Sequence, residues 1–459
     1  MTVKERGFGL GASMALTLAS SLLWGVAHLA VERRKTGLAL MFGYVVMLGG
    51  ILTVLTAYST HLLSLAVQPR WLVGFTVALV AIAIVWTSVV IWSFVLVRPP
   101  SYDRIGRFLT TALTLALCGL ILTPTLYATR LAYLSRDVVN TLFPSATATA
   151  PIMAQDPWSG ARRVNFLLLG GDAAPNRPGV RTDSMTVASV DTETGATTLF
   201  GLPRNLQRVQ FPEGAARDQF PFGFTGSGPD TPGLLNEIFQ YAEDHPEMVP
   251  GVERRQRGPT LIKQTIGDIL GIPVDYYALV DMKGFAEIID AMGGVKVTIK
   301  EPIVYGRYRE GLLPAGTRRL SGEEALWYGR SRTDSDDYVR MGRQKCLLNA
   351  VAKQADPMTV LNSFERLAAA TKRAISTDLP QDLLPAVIDL SQRVKDAKIR
   401  SLSFVPPLIN TAYPDWSFIR RRVAETLEAR PVARTATSAE HTPGTDDPDT
   451  PVNLDATCA

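Results

Sequence analysis

The side chains best suited to chemistry in this 459-residue chain fall in two short stretches, RTDSM to LPRN at 181–205 and YGRSRTDSDDYVRMGRQ at 328–344. Arg181, Arg204, Arg330, Arg332 and Arg340 carry planar forks of N–H donors that match phosphate oxygens, and Gln344 adds a neutral donor. Asp172 and Asp183 offer hard oxygens to a magnesium-like cation, and Asp337 can orient Arg332 or Arg340. The combination points to an anionic, phosphate-type ligand. Arg330 and Arg332 are two apart, so in an extended segment both side chains point the same way. Helical spacing over 336–353 puts Asp337, Arg340 and Gln344 on one face at i, i+3 and i+7. Charges on a helix are ordinarily a solvated face. Here Trp327, Tyr328, Tyr338, Met341, Leu347 and Leu348 surround them, which places the arginines at the mouth of an apolar region. For Asp172 and Asp183 the ordinary alternative is loop capping, and Arg204 after Pro203 could simply end a strand.

Composition removes other classes. A net charge of +4, from 47 basic and 43 acidic residues, with no basic stripe interleaved with aromatics, argues against nucleic-acid binding. The three cysteines, Cys118, Cys346 and Cys458, are dispersed, so neither a disulfide framework nor a metal–thiolate site is expected. His28, His61, His245 and His441 are scattered, which gives little support to a zinc site or a histidine-based triad.

The elements that must position these residues begin after an apolar first third. Uncharged stretches at 7–31, 36–67, 71–97 and 108–129 predict an all-α membrane region of four spans within 1–137. A cleavable signal peptide fits the first stretch poorly, because Glu-Arg-Arg-Lys follows it. The loops bearing Arg33, Arg34, Lys35 and Arg98, Arg104, Arg107 are placed in the cytoplasm by the positive-inside rule, and the C-terminal domain outside. A linker follows at 138–160, rich in Ala, Thr, Pro and Ser from 145 to 156.

The domain at 161–429 opens with strands at 165–170, 184–190 and 197–202. If they run up, down and up, Asp172, Asp183 and Arg204 meet at one sheet edge, whereas a crossover at 171–182 would separate them. Helices are predicted at 234–242, 260–270, 285–292, 358–375, 381–395 and 416–429, and strands at 274–280, 295–299 and 399–405. Ser321-Gly-Glu-Glu324 is a capping box opening a short helix. The alternation predicts an α/β layered sheet-and-helix domain. Residues 430–459, rich in Thr, Pro, Asp and Ala, read as a disordered tail.

In order, NFLLLGGD, RTDSM, LPRN, LLNEIFQYA, IGDILGIPVDYYALVDMKGFAEIIDAMGGVKVTI, LSGEEALWYGRSR and DSDDYVRMGRQ resemble the LytR-CpsA-Psr family of cell-wall glycopolymer ligases, over 165–353. The resemblance implies an α/β domain whose apolar tunnel holds a polyprenyl chain with its pyrophosphate at the mouth, and transfer of a glycopolymer from that lipid to a peptidoglycan acceptor. It further implies that Asp172 and Asp183 hold magnesium (or manganese), that Arg204, Arg330, Arg332, Arg340 and Gln344 clasp the pyrophosphate, and that Arg181 and Asp337 support them. Arg204, Asp183 and Arg340 would be the catalytic members. Three positions depart from the family pattern: Asn205 stands where an aspartate is usual, Glu237 where a histidine is common, and GGD replaces a Ser-containing version before Asp172. Four spans also differ from the usual single anchor. A polyprenyl-phosphate-binding regulatory protein without chemistry and a pyrophosphatase are the alternatives, whereas no DNA-binding element supports a transcription regulator.

Overall fold

The computed structural model describes residues 8–57, 65, 68–99, 103–144, 156–172, 181–226, 228, 233–306, 308–333, 335–354, 375–428 and 450–458. The chain divides into two compact units, Met1–Val139 and Asn140–Ala459.

The first unit is all helical: α1 (Leu10–Leu22), α2 (Val26–Ala30), α3 (Arg34–Ala57), α4 (Pro69–Val97) and α5 (Arg104–Leu142). Among the described residues α3, α4 and α5 supply three helices long and apolar enough to cross a membrane. The expected first span is instead broken. Helix α1 stops after 13 residues and Gly25, at φ 92°, turns the chain into α2. Gly25 is required there, because a Cβ would lie 2.3 Å from the carbonyl oxygen of Gly37. Two polar groups at the break find partners, the Ala27 N–H donating to Ser20 Oγ and the Trp86 indole to the Ser21 carbonyl, whereas Trp24 Nε1 and both His28 ring nitrogens are buried without a hydrogen bond.

The second unit is built on a seven-stranded sheet in the order β11-β10-β3-β2-β1-β4-β9. Strands β1 (Arg163–Asp172), β2 (Arg181–Asp191) and β3 (Thr197–Leu202) run antiparallel, as the up-down-up reading requires. Asp191 closes the β2–β3 turn by accepting from the Thr194 N–H and hydroxyl. β4 (Tyr276–Asp281) lies parallel to β1, and β10 (Ile399–Ser403) parallel to β3. β3 is buried along its whole length, as a strand covered on both faces must be. Helices α6 (Ile238–Asp244) and α7 (Arg254–Leu270) put Ile238, Ile262 and Ile266 into one cluster with Leu167, Val187 and Phe200. A second cluster, with Ile289, Val297, Tyr328 and Leu347, joins α8 (Met282–Ala291), β5 (Val295–Ile299), α9 (Gly322–Arg330) and α10 (Asp337–Gln354). The N-termini of α8 and α9 are capped by Asp281, which accepts from the Gly284 N–H, and by the Ser321–Glu324 box.

Short strands β6 (Ile303–Tyr305), β7 (Gly311–Leu313) and β8 (Gly316–Leu320) carry too few alternating residues to stand out in the sequence. Ile375, expected as the last residue of a helix at 358–375, begins β9 (Ile375–Thr377), and residues 358–374 lie outside those described, as do 145–155 of the linker. Helices α11 (Leu384–Asp396) and α12 (Trp416–Glu428) occupy their expected places.

Two expectations fail at the C-terminus. The end of the chain, taken for a disordered tail, forms β11 (Val452–Asn453) against β10 and then α13 (Leu454–Thr457), with Leu454 buried; residues 429–449 lie outside those described. Cys458 forms a disulfide with Cys346 on α10, across 112 residues of sequence. Composition hid this docking, because it depends on one leucine and one distant thiol.

Candidate active site

The parallel and antiparallel pairings bring the C-terminal ends of β1, β3, β4 and β10 and the start of β2 to one sheet edge. A cavity of about 290 Å³ opens there, lined by β1, β2, β4, α8, α9 and α10. Its interior is apolar, with Leu168, Val280, Phe285, Leu326, Leu348 and Val351, and its polar lining comes chiefly from Asp183, Arg330, Arg332, Arg340 and Gln344. Gly170 lies in the wall opposite Ser184, and a Cβ there would meet the Ser184 Cβ at 3.0 Å.

Around the mouth, charges hold one another in place. Asp183 Oδ1 accepts from Arg204 Nη1 at 2.8 Å and from Asn236 Nδ2 at 3.4 Å. Asp337 lies 3.4 Å from Arg204 Nε, 3.3 Å from Arg332 Nε and 3.1 Å from Arg340 Nη2, so one carboxylate spaces three guanidinium groups. Arg340, only 2 % exposed, also donates to the backbone carbonyl of Asp183 at 3.1 Å, while its Nε is buried without a partner. Such a donor is costly unless a ligand satisfies it. Burial works to raise the Asp183 carboxyl, but the Arg204 hydrogen bond and the nearby arginine charges outweigh it and hold the group below the usual carboxylate range. Burial lowers Arg340, aided by Arg332 and Arg204 and opposed by Asp337. For Arg204 burial pulls the same way, yet Asp183 and Asp337 leave it raised.

Arg330 and Arg332 reach the cavity by a different route from the extended segment expected. Arg330 is the last residue of α9, stacked toward the Trp327 ring at 5.6 Å, and Arg332 follows the C-cap Ser331. Gln344 lines the cavity while donating to the Gly329 carbonyl at 3.0 Å, so it also fixes the end of α9. Arg181 is exposed at the start of β2 and is not among the lining residues. Asp172 pairs with Arg181 at the end of β1, and its side chain lies outside the described residues. Among the described residues no cluster of three or more possible metal ligands occurs. Asp183, the lining carboxylate beside these arginines, fits a hard cation held largely by water and ligand oxygens, and not an all-protein cage.

Sequence reading missed Arg343, which donates to the Ser331 carbonyl and to Ser335 Oγ and so ties down the loop carrying Arg332. Its spacing of three from Arg340 was the available signal. Asn236, 3 % exposed, carries no signal of its own in the sequence, yet it joins Arg204 in bonding Asp183. Glu237 caps its own turn by accepting from the Leu234 N–H, and Asn205 keeps a buried Oδ1 without a partner.

The site thus joins an apolar cavity to an arginine-rich mouth. The chain belongs to the LytR_cpsA_psr family, whose model matches residues 143–413. It is 25% identical over 235 residues to the polyisoprenyl-teichoic acid–peptidoglycan teichoic acid transferase TagU of Halalkalibacterium halodurans, a match covering 50% of this chain and 64% of that protein. It is 26% identical over 154 residues to biofilm regulatory protein A of Streptococcus mutans, covering 32% and 38%. The crystal structure of B. subtilis TagV aligns with a TM-score of 0.42 and 22% identity, over 59% of this chain and 99% of that one.

Proposed function

We propose that this protein is a membrane-attached phosphotransferase that moves a glycopolymer from a polyprenyl-pyrophosphate carrier to peptidoglycan. The supporting observation is the division of the cavity into an apolar interior and an arginine-ringed mouth, in a family with relatives named for such a transfer. In this reading the prenyl chain lies among Phe285, Leu326, Leu348 and Val351, and the diphosphate faces Arg330, Arg332 and Arg340 of the lining, with Arg204 beside it on Asp183. The acceptor hydroxyl oxygen bonds to the polymer-side phosphorus, the bond from that phosphorus to the prenyl phosphate breaks, and the hydroxyl proton passes to the departing phosphate. Arg340 and Arg204 offset charge growing on the leaving group, and Asp183 fixes Arg204. A magnesium or manganese ion held by Asp183 with Asp172 would polarise the diphosphate oxygens. Arg181 would serve the outer rim.

The same reading places the domain outside the plasma membrane. The Cys346–Cys458 disulfide favours an oxidising compartment, and the positive loops favour the same orientation. It needs four crossings, the first made of α1 and α2 together. Protease treatment of intact cells should therefore cleave the domain.

The test is full-length protein in detergent with a polymer-linked prenyl diphosphate, magnesium and peptidoglycan fragments. Polymer joined to peptidoglycan, lost in Arg204→Ala and Arg340→Ala, is the expected result. Lipid binding without product would leave a binding protein in its place, and release of free phosphate a hydrolase.

A further inference from the structure

The cavity lies on the β1, β2 and β4 side of Asp183 and Arg204. On their other side, the loops that follow β3 and β10 leave the same sheet edge and carry exposed groups that the donor site does not use. Tyr413 is 67% exposed and Phe222 92% exposed, and the exposed Arg208 lies over the Tyr413 ring at 4.4 Å. The loops that carry Phe222, Arg208 and Tyr413 are joined to one another by backbone hydrogen bonds.

These side chains stand on a tied framework. The Gln207 N–H donates to the Thr411 carbonyl at 2.9 Å, and Asn410 Oδ1 accepts from the Ala412 and Tyr413 N–H groups. The Phe224 N–H donates to the Val209 carbonyl at 2.8 Å. Gly223, at φ 101°, lies so close to Arg208 that a Cβ would meet its carbonyl oxygen at 2.8 Å. Beneath the loops Phe211, Phe224, Phe404 and Ile409 are buried. Three loops are therefore joined into one surface, whose rings are held out by backbone bonds.

The surface is continuous with the reacting groups. Arg204 and Arg208 share a loop, and four residues reach at most about 14 Å. The Arg204 carbonyl accepts from the Asn236 N–H at 3.1 Å, and the side chains of Asn205 and Asn236 each keep a buried oxygen without a partner between the platform and Asp183.

Resting on the transferase reading, we infer that the 204–211, 220–226 and 409–415 loops form the acceptor platform. A sugar ring of the wall glycan stacks its C–H face on Tyr413 and Phe222, and Arg208 takes its oxygens. Rings give large contact area at little entropic cost, and an arginine fork adds direction. Donor and acceptor then approach Asp183 and Arg204 from opposite sides of one sheet edge, without competing for the cavity.

The test uses the full-length protein in detergent. Tyr413→Ala and Arg208→Ala should each raise the acceptor KM about tenfold, leaving kcat at saturating acceptor and the donor KM unchanged, and Tyr413→Phe should restore the acceptor KM. Phe222→Ala should act in the same direction with a smaller effect. Binding of soluble glycan fragments to wild type and to Tyr413→Ala, measured without donor, reads the platform independently of turnover. If wild type binds the fragments through Tyr413 but transfers nothing, the transferase reading fails and the platform stands. An unchanged acceptor KM in Tyr413→Ala, or a change confined to donor KM, overturns the platform. A shift in oligomeric state with acceptor KM untouched assigns the face to a second copy and overturns it equally.

Discussion

The mouth and the interior of the cavity are held by different forces. At the mouth Asp337 spaces Arg204, Arg332 and Arg340, and Asp183 also holds Arg204 and Arg340, so geometry there depends on a few directional, charge-assisted contacts. The interior, with Phe285, Leu326, Leu348 and Val351, depends on shape and on the non-directional hydrophobic effect. The mouth should therefore be intolerant of small chemical changes, and the interior intolerant only of lost volume.

The largest expected effect breaks the mouth. Arg340→Lys keeps the charge and loses the fork, and transfer should fall about 100-fold, the scale of removing one preorganised donor. Initial rates, with circular dichroism to verify the fold, check this. Lys345, next to Gln344 on α10, gives a contrast in stability. It donates to Ser403 Oγ outside the cavity lining, and burial lowers it to about 8. Its folded value lies below its ordinary 10.5, so the unfolded chain binds more protons between the two, and stability should rise as pH increases from about 8 to 10.5. Lys345→Met should remove that slope and stabilise the protein at neutral pH by at most about 3 kcal/mol, measured by denaturant titration.

Filling the interior is the next smaller change. Leu348→Trp should weaken long-chain prenyl diphosphate binding about tenfold, the cost of about 1.4 kcal/mol in misfit, and leave inhibition by inorganic diphosphate unchanged. Equal loss of both would erase the distinction between mouth and interior. The smallest effect is at Asp183. Its folded value lies below the ordinary 3.8, so its contribution is present above that pH and lost as pH falls through the folded value. Asp183→Asn should lower stability above about pH 4, where the Arg204 pair contributes, and flatten the acid limb below it, measured by denaturant titration across pH.

The same contrast explains what the sequence made legible. The strand periodicity of β1–β3 and the spacing of Asp337, Arg340 and Gln344 are local, so the common edge of Asp183 and Arg204 and the charged face of α10 could be read directly. The route of Arg330 and Arg332 could not, because the capping box that starts α9 does not reveal that the helix ends at Arg330. Asn236 bonds Asp183 across 53 positions, and Cys458 reaches Cys346 across 112, with no periodicity to announce either. The interior lining was visible only as apolar residues around the arginines, since which of them face a cavity is decided by how α8, α9 and α10 meet the sheet.

The central claim is that one amphiphile occupies both regions, its chain inside and its diphosphate at the mouth. A prenyl diphosphate carrying a photoactivated group at its chain end, bound to the full-length protein and mapped by mass spectrometry, tests this directly. Label on peptides containing Phe285, Leu348 or Val351, competed away by unlabelled prenyl diphosphate, is the predicted result. Label confined to the helices of the first unit, or spread over the surface without competition, would contradict it.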